Sequence, residues 1–283
     1  MKRPSIGNVV VLMPNGFTMA NLCLGMLAII FAFAGDYTRA GSFVVIGGVM
    51  DALDGRIARA THTGTRFGEE LDSLVDIVSF GVAPAMIMYA ALLRDEKLSW
   101  LWPFIFIAAA AIRLAKFNVE QAGRRKAHFY GLPSPAAGMT LATYYPFSQT
   151  DLYTQSWVAT LPWQQSMRVV MVVLAVLMMS NVQYPAVPTV GLRTLRGIVG
   201  TLVVAGTLVG VVFFPQEFFF PALLAYVAYG LLKTAVVGLQ DMRLANAPRA
   251  FSTQPDHGRA IAAADPAPDS ESPSGGRKRP AGG

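Results

Sequence analysis

Apolar residues in this chain run in long blocks separated by short polar stretches. Read in windows of about 19 residues, they form eight blocks, near 17–34, 40–59, 69–93, 98–118, 134–148, 165–181, 196–214 and 217–237. A helix needs about 20 residues to cross a hydrocarbon core about 30 Å thick, and most of the blocks come close to that length. The pattern predicts an all-α, polytopic integral membrane bundle of about eight transmembrane helices. Residues 1–16 then form a cytoplasmic or interfacial segment, and 17–240 the transmembrane domain. Residues 247–283, rich in Pro, Gly, Ser and Ala with Arg277-Lys278-Arg279 near the end, read as a disordered cytoplasmic tail.

Composition agrees with the pattern. Hydrophobic residues make up 53% of the chain and charged residues only 14%, a balance that excludes an ordinary soluble domain. Lys and Arg are retained on the cytoplasmic side of membrane proteins. With both termini inside, only Arg39, Arg94, Lys97 and Arg168 of the 23 face outward. The net charge of +6 suits anionic lipid or an anionic substrate. Because that charge is spread over loops and not along one aromatic-studded face, nucleic acid is excluded as a partner. Lys2, Arg3 and the run ending Ala32-Phe33-Ala34 imitate a secretory signal, but Asn21 interrupts the run, which is read as the first span. The lone Cys23 permits no intrachain disulfide. A short chain without a targeting extension suits a bacterial inner (cytoplasmic) membrane.

Against this apolar background four carboxylates stand out. Asp51 and Asp54 lie toward the cytoplasmic end of the second block, Asp72 and Asp76 toward that of the third, on either side of a loop at 61–67. Each buried Asp costs roughly 2.5 to 3.5 kcal/mol on insertion scales, so a cation is expected nearby. Positions 51, 54, 55 and 58 share one helical face, and 72 and 76 are one turn apart, so two helices can aim all four carboxylates at one point. Hard oxygen ligands without Cys or His suit Mg²⁺ or Mn²⁺ and not zinc. Four negative charges match two divalent ions per site, a pair that can clamp the attacking and leaving oxygens of a phosphoryl displacement. Gly55 and Ala58 lack bulk on that face, which lets a phosphorylated ligand approach. Arg59 and Arg66 can grip phosphate oxygens. Intramembrane acids also build divalent-cation transporters, but there they are spread through the bundle's depth, and here they cluster at one end.

Written out, the stretch is D51-A-L-D54-G55-R-I-A58-R59, eight residues, then G68-E-E-L-D72-S-L-V-D76. It resembles, at every fixed position, the signature of the CDP-alcohol phosphatidyltransferases, D-x2-D-G-x2-A-R-x8-G-x3-D-x3-D. The resemblance implies that Asp51, Asp54 and Asp72 ligate metal, and that Asp76 ligates the second ion and accepts a proton. It also implies that Gly55, Ala58, Arg59 and Thr65 touch CDP-diacylglycerol.

Three further segments look like the phosphatidylserine synthase branch of that family: P14-N15-G-F-T18-x2-N21-L-x-L-G25, G131-L-P-S134-P-A-A-G138 and S180-N181-V-Q-Y184-P185. Asn15 and Thr18 join the CDP-diacylglycerol contacts on this likeness. The implied reaction moves a phosphatidyl group from CDP-diacylglycerol to the hydroxyl of L-serine and releases CMP, in a homodimer whose active sites face the cytoplasm. Glycerol phosphate or inositol phosphate is the alternative acceptor, and either would need a basic pocket for its extra phosphate. In the run R113-L-A-K116-F-N118, Arg113 is the deepest cation and is expected to take the serine carboxylate with Asn118 assisting. Ser134 is expected to cap the fifth helix. His62, His128 and His257 are read as solvated. Gly206 and Gly210 form a small-x-x-x-small pair that suits a dimer face, and Phe213-Phe214 and Phe218-Phe219-Phe220 are read as interfacial anchors.

Overall fold

A computed structural model describes residues 6–61, 65–94, 97–123, 131–180, 205–207 and 209–245, with isolated positions at 182, 184, 194 and 201. The side chains of 6–15, 58–61, 120–123 and 236–245 lie outside that description. So do the three histidines, residues 196–200, 202–204 and 208 of block 196–214, and the tail at 247–283. Residues 1–240 form one compact unit. All regular elements among the described residues are helical.

Two long helices open the chain, α1 (Ile6–Phe33) and α2 (Tyr37–Thr61), and the turn between them follows from three residues. Gly35 adopts φ +86°, a left-handed conformation that glycine reaches without a Cβ clash. Asp36 N–H then returns to the Phe31 carbonyl at 2.9 Å, which closes α1 in the manner of a Schellman cap. Asp36 Oδ1 in turn accepts from Arg39 N–H at 3.0 Å and starts α2. The two helices therefore run antiparallel in close contact, and Ala28, Ala32, Ala40 and Val44 are buried between them and their neighbours.

The third block becomes one continuous helical rod, Arg66–Leu93. Thr65 has extended backbone and its Oγ1 accepts from Gly68 N–H at 3.0 Å, which caps α3 (Arg66–Asp76). The ladder then widens to π spacing over Ile77–Val82, as Ala83 N–H donates to Val78 O. It tightens through α4 (Ala83–Met88) and widens again over Tyr89–Leu93. Pro84 lacks the N–H that would close an α turn onto Phe80, which accounts for the first π stretch. The Phe80 carbonyl faces Gly138 instead, so closely that a Cβ there would stand 2.4 Å from it.

The remaining described helices are α5 (Leu101–Gly123), α6 (Ser134–Ala142), α7 (Tyr144–Ser148), α8 (Asp151–Thr154), α9 (Trp163–Met179) and α10 (Pro215–Ala245). Phe80, Phe106, Ile87, Met88, Leu141, Met171 and Leu174 fill the core between them. Large apolar side chains also point outward: Met26, Ile30, Phe104, Ile112, Val176 and Leu232 are all exposed. That is the surface a bilayer covers, and the chain is an integral membrane protein.

Four helical segments are by themselves long and apolar enough to cross a membrane: Gly16–Phe33, Arg66–Leu93, Leu101–Val119 and Pro215–Ala235. The expected eight spans thus divide. Block 40–59 is helical but carries Asp51, Asp54, Arg56 and Arg59, too many charges for an apolar window. Block 134–148 breaks at Thr143 because Pro146 cannot donate to Ala142, whose carbonyl ends α6. Block 165–181 becomes the 17-residue α9. The Gly206/Gly210 pair does not form a clear face for a second copy, since Gly210 is buried against the Phe218 ring of its own chain.

Candidate functional site

Where α2 ends and α3 begins, their acidic side chains converge. Carboxylate oxygens of Asp51, Asp72 and Asp76 lie within 4.8 Å of one another. Asp76 is only 8% exposed, and both Asp72 Oδ1 and Asp76 Oδ1 are buried without a hydrogen-bond partner. Two like charges at that separation repel by about 3.5 kcal/mol at an effective dielectric of about 20. Unpartnered acceptor oxygens crowded around one point fit a divalent cation, and the all-oxygen donor set fits Mg²⁺ or Mn²⁺ chemistry.

Asp54 is brought to the same end of α2 but is held differently. It is 4% exposed, and its Oδ2 accepts a hydrogen bond from Thr18 Oγ1 at 3.1 Å. It stays within electrostatic reach of Asp72 and Asp76. Of the four acids expected to share one centre, three meet there, and the fourth is tied from behind by a residue of α1. One turn deeper on α1, Asn21 is fully buried, and its backbone carbonyl accepts from Ser79 Oγ at 3.1 Å. That contact fastens α1 to the π stretch just beyond Asp76.

The expected nucleotide contacts are placed unevenly. Gly55 is half-buried next to Asp54, and Arg66 is exposed at the mouth of the loop. Thr65 is exposed as well, with its hydroxyl engaged as the α3 cap. Asn15, Ala58 and Arg59 fall on helical backbone whose side chains lie outside the described residues.

Arg113 of α5 is half-buried, and the fields of its guanidinium and of Asp76 act on each other. Its Nη1 donates to Ser134 Oγ at 2.5 Å, and its Nε is buried with no partner. Tyr226 of α10 is near enough to interact with it electrostatically. Asn118 is directed elsewhere. Its Oδ1 accepts from Ser73 Oγ at 3.0 Å, and its Nδ2 donates to Glu70 Oε2 at 3.1 Å, so both ends of the amide bridge to α3. Five residues along a helix place two side chains about 140° apart, so the pair expected to grip one amino acid faces two directions. Nor does Ser134 cap α6 through its side chain: Pro133 holds the cap position, and Ser134 is the first helical residue.

A groove of about 450 Å³ runs between α3 and α5, lined by apolar side chains such as Leu74, Ile77 and Leu114, with Glu70, Ser73 and Asn118 among its polar lining. It lies on the flank of α3 turned away from Asp72 and Asp76, and is separate from the acidic site.

Residues 11–232 match the family described as CDP-alcohol phosphatidyltransferase. The chain belongs to that family. As a CDP-alcohol phosphatidyltransferase it is a transferase of phospholipid synthesis, and the matched span includes the α2–α3 cluster. It is 34% identical over 179 residues to a CDP-diacylglycerol–serine O-phosphatidyltransferase of Helicobacter pylori, covering 63% of this chain and 73% of that protein. An archaetidylserine synthase of Methanothermobacter thermautotrophicus is 32% identical over 184 residues, 64% and 73% of the two chains. A Mycobacterium tuberculosis protein named CDP-diacylglycerol–serine O-phosphatidyltransferase is 32% identical over 135 residues, 46% and 47% of the two chains.

Proposed function

We propose that this phosphatidyltransferase moves the phosphatidyl group of CDP-diacylglycerol to the hydroxyl of L-serine. The observation that carries the reading is the meeting of Asp51, Asp72 and Asp76 within 4.8 Å between α2 and α3, in a chain whose relatives are named for serine transfer. Asp51, Asp54, Asp72 and Asp76 would hold two divalent cations, Mg²⁺ or Mn²⁺. Such ions, when bound, polarise the diphosphate and neutralise the charge that builds on the leaving CMP.

The chain's own residues do the rest. Asp76 takes the serine hydroxyl proton as the new oxygen–phosphorus bond forms on the lipid-side phosphorus and the bond to CMP breaks. A carboxylate is a weak base for an alcohol, so much of the acceleration comes from holding donor and acceptor in line. Thr18 orients Asp54 through its hydrogen bond. Arg113 meets the serine carboxylate. Asn15, Gly55, Ala58, Arg59 and Thr65 line the CDP side. We assign the active site to the cytoplasmic face of a bacterial inner membrane and the working unit to a homodimer, both on family likeness.

The test is CMP release by the purified chain from CDP-diacylglycerol, with serine, glycerol phosphate or inositol phosphate offered in parallel. Serine-dependent release that stops in excess chelator and returns with Mg²⁺ or Mn²⁺ is expected. Release driven by a phosphorylated alcohol and indifferent to serine would overturn the acceptor assignment, and full activity in chelator would overturn the metal site.

A further inference from the structure

One contact beside the acidic cluster has no part in assembling it. Ser134 is fully buried and accepts from Arg113 Nη1 across 21 positions of sequence. It sits between Pro133 and Pro135 at the start of α6, where the fixed proline φ angles stiffen the backbone and complete burial confines the hydroxyl. The same turn is pinned to the end of α9 by Leu132 N–H donating to Leu177 O at 3.0 Å. Arg113, by contrast, carries a long side chain with many rotamers. A rigid acceptor therefore holds a flexible guanidinium.

A guanidinium offers five N–H groups in a planar fork. Ser134 engages one on Nη1, while the buried Nε–H has no partner in the protein. A buried donor left unpaired is unfavourable, and an edge formed by Nε and a terminal nitrogen matches the two oxygens of a planar carboxylate. The field of Asp76 beside it disfavours a dianionic phosphate at the same place more than a singly charged carboxylate.

We propose that Ser134 is a positioning residue: it fixes Arg113 so that the Nε edge receives the carboxylate of an amino-acid acceptor, and so makes the acceptor site selective for a carboxylate. The inference rests on the serine reading above and adds the residue that enforces it.

The experiment compares L-serine with serinol, which keeps the amine and hydroxyl but has no carboxylate, using the purified full chain and CDP-diacylglycerol. Ser134→Ala is expected to raise KM for serine about tenfold, the worth of one charge-assisted hydrogen bond, with kcat moving far less. KM for CDP-diacylglycerol and kcat/KM for serinol should hold, so the preference for serine over serinol contracts by the same factor. Arg113→Lys should contract it at least as much, and adding Ser134→Ala to Arg113→Lys should contribute almost nothing further. Ser134→Thr, which restores the hydroxyl, should recover most of the preference. Thermal melting of each variant separates misfolding from lost selectivity, and the Arg113→Lys variant decides the question should Ser134→Ala fail to fold. An unchanged serine-to-serinol preference in Ser134→Ala, or an equal fall with both acceptors, overturns the proposal. A wild-type chain that releases no CMP with serine refutes the acceptor reading itself and this inference with it, a result distinct from either.

Discussion

Replacing Asp72 by Asn should stabilise the metal-free protein while abolishing its response to metal, two effects of opposite sign from one atom. Asp72 lies within 4.8 Å of both Asp51 and Asp76, so neutralising it removes a repulsion of about 3.5 kcal/mol at an effective dielectric of about 20 for each neighbour that is ionised with it. Partial exposure of Asp72 and Asp51, relaxation of the side chains and the weaker hydrogen bonding of the amide reduce the gain, and roughly 2 kcal/mol net is expected. For a chain of this size that corresponds to a rise in Tm of about 4–8 °C. The wild type in chelator should melt below the variant in chelator. Adding Mn²⁺ should lift the wild type by several degrees through mass action and leave Asp72→Asn where it was. The assay is intrinsic-fluorescence melting of detergent-purified protein with chelator or with Mn²⁺, which needs no substrate. An apo variant no more stable than the apo wild type would refute the crowding of the carboxylates. A variant shifted by Mn²⁺ as far as the wild type would refute the placement of the cation among them.

Three other substitutions probe the surrounding frame. Thr18→Val removes the hydroxyl that donates to Asp54 and should weaken Mn²⁺ affinity about tenfold, as loss of an outer partner of a metal ligand commonly does; an unaltered titration midpoint would count against it. In Gly138→Ala a Cβ would stand 2.4 Å from the Phe80 carbonyl, and pushing α6 off the π stretch should lower stability by about 1–3 kcal/mol, seen as a lower Tm in detergent. Asn118→Ala cuts both links from α5 to α3 and should lower Tm by a few degrees, a loss of about 1–2 kcal/mol, while KM for serine moves less than about twofold. A KM rise matching that of Arg113→Lys would return Asn118 to the acceptor site.

The acidic site was legible in the sequence because its information is local. Asp54 follows Asp51 by three positions and Asp76 follows Asp72 by four, so helical geometry alone puts each pair on one face. A short loop leaves the two faces little choice but to meet. Thr65 reads from the resemblance as a nucleotide contact, whereas its cap on α3 needed the structure. The contacts that orient the site were not legible, because each joins residues far apart in sequence: Thr18 to Asp54, Ser73 to Asn118 and Arg113 to Ser134. Hydropathy counted α2 as a span like any other and missed what its last three turns carry. It also read 134–148 as one segment, since Pro146 counts as mildly polar in a window average but acts by withholding an N–H.

These contacts divide the site's labour between two pairs of elements. Asp51, Asp54, Asp72 and Asp76 all come from α2 and α3, the segments that hold the family signature, and nothing in their geometry distinguishes one alcohol acceptor from another. Arg113 and Ser134 come from α5 and the start of α6, where they meet the cluster only through the field that Arg113 shares with Asp76. Rigidity is needed on both sides, but for different reasons. The carboxylates must resist their own repulsion, and Thr18, Asn21 and the close α1–α2 packing brace them. The guanidinium must resist the pull of those same carboxylates, and the buried Ser134 hydroxyl braces it. On the proposed roles of Arg113 and Ser134, a change of acceptor would arise in α5 and α6 alone, with the phosphoryl chemistry of α2 and α3 left intact.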